Sequence, residues 1–91
     1  MKTVYVTGAS AGLGRAIAAI FSREKFRVGL IARDEDSLAE AATSIGGGTA
    51  WATADVSIFE ELDTAARKLE AQIGPPDIWV NAAMATIFSR F

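Results

Sequence analysis

The chain has no cysteine and no histidine in its 91 residues, one tyrosine and two prolines. Without Cys or His, disulfides, zinc and haem sites of the usual kind, and catalytic dyads built on imidazole or thiolate are all excluded. Basic charge is sparse too. Nine Lys and Arg stand against eleven Asp and Glu, for a net charge of -2, and they are scattered singly. No basic block exists to neutralise a row of phosphates, so nucleic acid is not an expected partner. Long apolar runs are also missing. Nothing approaches the ~18 consecutive apolar residues of a membrane span, and Met1 to Gly8 is too short for a signal-peptide core. The expectation is a soluble chain without a membrane partner, and a cytoplasmic location fits the lack of cysteine.

Hydrophobic residues make up 51% of the chain and charged residues 22%, which excludes a disordered polymer. The length allows one small domain, burying about 60–65% of its unfolded surface. Apolar periodicity switches between strand and helix along the whole chain. Thr3–Thr7 reads as a buried strand. A glycine-rich turn, Gly8–Gly12, leads into a helix over Leu13–Glu24, with Leu13, Ile17, Ile20 and Phe21 at helical spacing. Arg27–Ala32 is a second strand. Asp34 or Asp36 caps a helix to about Ser44, with Leu38, Ala41, Ala42 and Ile45 on one face. Gly46–Gly48 ends that helix through positive φ. Thr49–Asp55 is a third strand. Ser57 with Glu60 forms a capping box for a helix carrying Leu62, Ala65, Ala66, Leu69 and Ile73. Gly74-Pro75-Pro76 stops it, Asp77–Asn81 is a fourth strand, and the tail to Phe91 has room to begin another helix.

This β-α-β-α-β-α-β order calls for a parallel sheet with right-handed crossovers. The informative segment is Thr7-Gly8-Ala9-Ser10-Ala11-Gly12-Leu13-Gly14, a Gly-x-x-x-Gly-x-Gly placed directly between strand and helix. Gly8 lets the chain turn off the strand, Gly12 lets backbone approach a pyrophosphate, and Gly14 lets the helix pack closely. The amides of the first helical turn, at the positive end of the helix dipole, face the phosphates. A purely structural glycine turn is the competing reading. A P-loop is excluded, because Arg15-Ala16 follows Gly14 where Lys and Ser or Thr are required. The fold expectation is an α/β, three-layer Rossmann-type parallel sheet, its first four strands in the order 3-2-1-4, with residues 1–91 forming the N-terminal half of a dinucleotide-binding domain. The first two helices then cover one face and the third stands alone on the other.

The second strand ends Leu30-Ile31-Ala32-Arg33. Ala32 stands where an acid would hold the adenosine ribose, and the Arg33 guanidinium can take a 2′-phosphate. Ser10 can add a hydroxyl. Asp34, Glu35 and Asp36 argue the other way, toward NAD(H). The cofactor expectation is NADP(H), with NAD(H) as the lesser alternative.

The run Thr7 to Ala18 resembles the opening of the short-chain dehydrogenase/reductase family, which uses Thr-Gly-x-x-x-Gly-x-Gly. Asp55-Val56 falls where that family's Asp contacts the adenine. Val80-Asn81-Ala82-Ala83 falls at its Asn-Asn-Ala-Gly turn, with Ala82 in place of the second Asn and Met84 in place of the Gly. The resemblance covers the whole chain and implies cofactor-binding roles for Gly8, Ser10, Ala11, Gly12, Leu13, Gly14, Arg33, Asp55, Val56, Asn81, Ala82 and Ala83. Asn81 has an equal claim to a structural role tying neighbouring strands. The resemblance also implies hydride transfer between a nicotinamide cofactor and a carbonyl or alcohol, with a Ser and a Tyr-x-x-x-Lys pair exchanging the proton. Here the lone Tyr5 is followed four residues on by Ala9, and it reads as core. The chain is therefore expected to bind cofactor but to lack the catalytic and substrate-binding half. The alternatives are a non-catalytic dinucleotide-binding sensor or partner module, and a fragment without function. In the absence of a following half, Ile78-Trp79-Val80 is an exposed apolar edge, and self-association through it is expected.

Overall fold

The computed structural model describes residues 1–9, 12–82 and the backbone of 86–89. The strands are β1 (Thr3–Thr7), β2 (Arg27–Ala32), β3 (Ala50–Thr53), β4 (Ile78–Asn81) and β5 (Thr86–Ser89); the helices are α1 (Gly12–Arg23), α2 (Glu35–Ile45) and α3 (Phe59–Ile73). They form one sheet in the order β3-β2-β1-β4-β5. The first four strands run parallel to one another, with Thr7 in register with Ile31 on one side and Asn81 on the other. The expected 3-2-1-4 topology is therefore present.

Every residue of β1 is buried, as a strand covered on both faces must be. Its alternate side chains serve two cores. Val4 and Val6 join Val28, Leu30, Val80 and the small or branched residues Ala18, Leu38, Ala41 and Ala42 of α1 and α2. Tyr5 points the other way, with Ile31 and Ala52, against Ala65 and Leu69 of α3. Helices α1 and α2 thus share one face and α3 takes the other, as the right-handed crossovers require.

Helical spacing alone does not place a residue of α1 in the core. Leu13 and Ile20 do not enter the core; they are 56% and 52% exposed. The face of α1 that meets the sheet is made of Gly14 and Ala18, because only small side chains permit the close approach, while Ile17 and Phe21 pack at its margin. Gly29, in β2, plays a similar part on the other face. A Cβ there would lie 2.9 Å from Leu69 Cδ1 and 3.1 Å from Tyr5 Cδ1.

The expected helix after β4 is also overturned for residues 86–89. These form β5, antiparallel to β4, pairing Ile78 with Ser89 and Asn81 with Thr86. Thr-Ile-Phe-Ser is β-prone, and its return satisfies the open N–H and C=O groups of β4. On that side of the sheet the outer strand is therefore β5, not β4.

Tyr5 ties the sheet to the end of α3. Its hydroxyl donates to the Gly74 carbonyl at 2.6 Å, and its ring lies 5.5 Å from that of Trp79. Burial, with a smaller contribution from the charge of Glu70, raises its pKa to about 12. An unfolded tyrosine ionises near 10. The stabilisation from a protonated Tyr5 is thus complete below pH ~10 and lost as pH rises through ~12. Since Tyr5 is the only tyrosine, spectroscopic phenolate titration of the native protein should show a single transition near 12. A transition near 10 in the folded protein would contradict the buried hydroxyl contact.

Candidate functional site

The parallel strands all end at the same edge of the sheet, and residues at the ends of β1, β2 and β3 line a cleft there. Ladder bonds hold those ends in register: the Gly8 amide donates to the Ile31 carbonyl at 2.9 Å, Ala54 to Ala32 at 2.9 Å, and Ala82 to Thr7 at 3.1 Å. The cleft, ≈ 530 Å³ in volume, is lined by Gly8, Ala32, Arg33, Asp34 and the segment Ala54–Ser57. Strand order reverses at β1, between β2 and β4. Such a reversal opens a crevice beyond the carboxyl ends of the strands.

One side is lined by Gly8, at the end of β1 where the chain turns toward α1. Gly8 leaves β1 with φ 71°, and Gly12 enters the helix with φ 59°. A Cβ at Gly12 would meet nothing within 4 Å, whereas one at Gly14 would overlap the Gly8 carbonyl oxygen and lie 3.0 Å from Ala9 Cα. The two glycines differ in purpose. Gly14 closes helix against turn, backbone on backbone; Gly12 leaves space open at a helix end whose first amides have no intrahelical acceptor. A cradle of this kind fits a diphosphate. Ser10, Ala11 and Ala83 lie outside the described residues, so their expected roles are not placed by the structure.

The opposite wall is the β3–α3 turn. The expected Ser57–Glu60 capping box is absent. Ile58 occupies the N-cap without a side-chain bond. Ser57 instead donates both its hydroxyl (2.6 Å) and its amide (3.0 Å) to Asp55 Oδ1, and Glu61 accepts from the Asp55 amide at 3.0 Å. An aspartate two residues upstream captures the serine as an Asx turn, which removes it from capping. The Ser57 hydroxyl and then its amide hold the Asp55 carboxyl below its ordinary pKa, against a desolvation effect of opposite sign, with the positive charge of Arg33 adding to the lowering. Val56 follows, 37% exposed at the cleft.

The floor is the end of β2. Ala32 is buried and Arg33 exposed. Arg33 forms no ion pair among the described residues, where the charged pairs are Arg15 with Glu40 and Arg67 with Asp63. Asp34 also lines the cleft, but its carboxylate is engaged as the N-cap of α2. It accepts from the Asp36 amide at 3.1 Å and from the Ser37 hydroxyl at 2.6 Å. Those bonds, that of the Ser37 hydroxyl foremost, lower its pKa. Of the two caps considered from sequence, Asp34 is the one used.

Asn81, at the end of β4 and outside the cleft lining, pairs in register with Thr7, and its Oδ1 accepts from the Thr7 hydroxyl at 3.2 Å. The strand-tying reading thus has a bond behind it. Ala82 packs against the α1/α2-side core. Sequence reasoning did not assign Ser37, Ser57 or Glu61 to the site, although Asp-x-Ser and Asp-x-x-Ser spacings are the signals of such turns.

The fold and the glycine turn define a Rossmann-type nucleotide-binding architecture. Residues 2–91 match the family model for short chain dehydrogenase, and the chain belongs to that family. It is 33% identical over 89 residues to an uncharacterized oxidoreductase of Staphylococcus epidermidis, covering 98% of this chain and 39% of that protein. It is 33% identical over 82 residues to the human 3-oxoacyl-[acyl-carrier-protein] reductase, covering 90% and 35%. Among solved structures, it superposes on an actinorhodin polyketide ketoreductase with NADPH at TM-score 0.83 and 30% identity, covering 88% and 32%. An alcohol dehydrogenase from Thermococcus sibiricus, complexed with 5-hydroxy-NADP, gives TM-score 0.80 and 32% identity, covering 88% and 36%. The chain thus spans between about a third and two fifths of these proteins' lengths.

The glycine geometry gives a paired test. Gly14→Ala is expected to cost about 3 kcal/mol of folding stability by forced displacement of backbone. Gly12→Ala should cost only the ~1–2 kcal/mol of a left-handed alanine. Chemical denaturation of both variants measures this, and equal costs would refute the division of labour.

Proposed function

We propose that this chain supplies the NADP(H)-binding portion of an oxidoreductase that moves a hydride between a nicotinamide cofactor and a carbonyl or alcohol substrate. The observation that carries the reading is Arg33, exposed in the cleft without an ion pair among the described residues, beside Ala32 where an NAD-selecting acid would stand. The guanidinium can receive a 2′-phosphate through charge-assisted, bidentate hydrogen bonds. Asp55 and Val56 face the adenine, the amides from Gly12 to Gly14 face the diphosphate, and Gly8 lets the chain pass close beneath the adenosine. Ser10, Ala11, Asn81, Ala82 and Ala83 complete the set that the family pattern implies. The solved relatives with NADPH and with 5-hydroxy-NADP support the choice of cofactor.

When bound, the nicotinamide supplies the hydride. This stretch of chain binds and orients the cofactor's adenosine and diphosphate. It does not supply the proton: its one tyrosine is buried in the sheet with its hydroxyl committed to Gly74. In this reading the Ser and Tyr-x-x-x-Lys machinery, and with it the choice of substrate, belongs to sequence beyond these 91 residues.

Titration with NADPH and NADH, followed by the fluorescence of Trp51 and Trp79, tests the assignment. Wild type should bind NADPH more tightly. Arg33→Ala should lose about tenfold or more for NADPH, as expected for hydrogen bonds to a charged group, with little change for NADH. Equal losses for both cofactors would remove the 2′-phosphate role. A reading frame continuing past Phe91 into Tyr-x-x-x-Lys would support the enzyme over a binding module.

A further inference from the structure

Two carboxylates, Asp34 and Asp55, line the cleft with Arg33, and each is occupied. Asp55 holds the Ser57 hydroxyl and amide, and Glu61 holds the Asp55 amide. Asp34 is the critical one. It directly follows Arg33, it lines the same cleft, and a carboxylate reaching the ribose there would accept its hydroxyls and repel a 2′-phosphate. Yet both of its oxygens are turned to the start of α2, Oδ1 to the Asp36 amide and Oδ2 to the Ser37 hydroxyl. The Asp36 amide bond is an ordinary feature of an N-cap. The Ser37 bond is an addition, and at 2.6 Å it is the shorter of the two.

We propose that Ser37 is a positioning residue for cofactor choice: its hydroxyl holds the Asp34 carboxylate in the helix cap and so keeps that charge off the adenosine ribose. The inference rests on the NADP(H) reading above and deepens it. Arg33 attracts the 2′-phosphate, and Ser37 removes the acid that would oppose it. Specificity is a difference of two affinities, so restraining a repulsive group counts as much as presenting an attractive one. Ser37 itself touches no cofactor atom in this account; it acts only through Asp34.

The test compares NADPH and NADH dissociation constants for the purified protein and four variants. In Ser37→Ala the Oδ2 atom of Asp34 loses its partner and is free to turn toward the ribose. The NADPH-to-NADH preference should fall by about three- to tenfold, a shift of the size one hydrogen bond commands, with NADH binding tightened. Ser37→Thr keeps the hydroxyl and should retain the wild-type preference. In Ser37→Ala combined with Asp34→Asn the cap survives, because Asn also caps, but the charge is gone. There the preference for NADPH should return. A merely structural role for Ser37, loosening α2, would weaken both cofactors together and leave their ratio unchanged; that result overturns the proposal. So does a fallen ratio that Asp34→Asn fails to restore. Arg33→Ala separates the two levels. If wild type prefers NADPH and Arg33→Ala abolishes this while Ser37→Ala does nothing, the positioning role fails and the NADP(H) reading stands. If wild type shows no preference for NADPH, the underlying reading fails and the Ser37 role with it.

Discussion

The contact between Gly14 and the carbonyl of Gly8 is the constraint from which the site follows. A strand buried on both faces delivers the chain to the edge of the sheet, and Gly8 turns it there with a positive φ. For α1 to begin at that edge and run back across the sheet, its first turn must touch the backbone it has just left. Only a residue without a Cβ can stand at that contact. Ala18, one turn further on, continues the same thin face. The helix axis is thereby pinned against β1, with the positive end of its dipole at the carboxyl ends of the strands. Anything anionic bound at that edge meets this end of the helix, whatever the side chains around it are.

Around this fixed start, the charge distribution of the cleft looks unfavourable for a phosphorylated ligand. Asp34 and Asp55 line it, Glu61 bonds into its β3–α3 turn, and Arg33 is the cation among its lining residues. Formal charge is a poor guide here, because an acid whose lone pairs are filled by hydroxyl and amide donors has part of its field cancelled at short range. Both aspartates are in that condition, and both have lowered pKa values as a result. They remain ionised yet turned to their own loops. Arg33, by contrast, has five N–H donors and no ion-pair partner among the described residues. Directional donors, rather than net charge, decide what such a cleft recognises.

The elements most legible from sequence were those fixed by periodicity and by backbone necessity. The alternation of strand and helix, the order of the sheet, the end of α2 at Gly46–Gly48 and the glycine turn all depend on patterns that no tertiary contact can override cheaply. The misreadings occur where two local interactions compete. Ser57 was equally suited to cap α3 or to close an Asx turn with Asp55, and the short charged acceptor prevailed. Leu13 and Ile20 have helical spacing, but the sheet-facing side of α1 is set by glycine and alanine, which periodicity of large apolar residues does not detect. The 86–89 segment depended on whether β4 had a neighbour, a non-local fact that a four-residue window does not contain. Asn81 was open between two roles, and the Thr7 hydroxyl gives the structural one a partner without removing the amide side chain from the cleft end of β4.

The division of the sheet bears on what this stretch can determine. Every residue lining the cleft comes from the first three strand–helix units, and the cleft's depth is set by β1, β2 and β3. The strand that leads onward, β4, contributes its register with β1 and a half-buried Trp79 against Tyr5, on the face where α3 stands alone among the described helices. In the proposed reading, recognition of the adenosine and diphosphate is therefore a local property of these three units. Relatives sharing this stretch at 30–33% identity carry names as different as a polyketide ketoreductase and an acyl-carrier-protein reductase. Shared architecture with differently named activities is what is expected when a fold hosts many functions and the particular site decides among them.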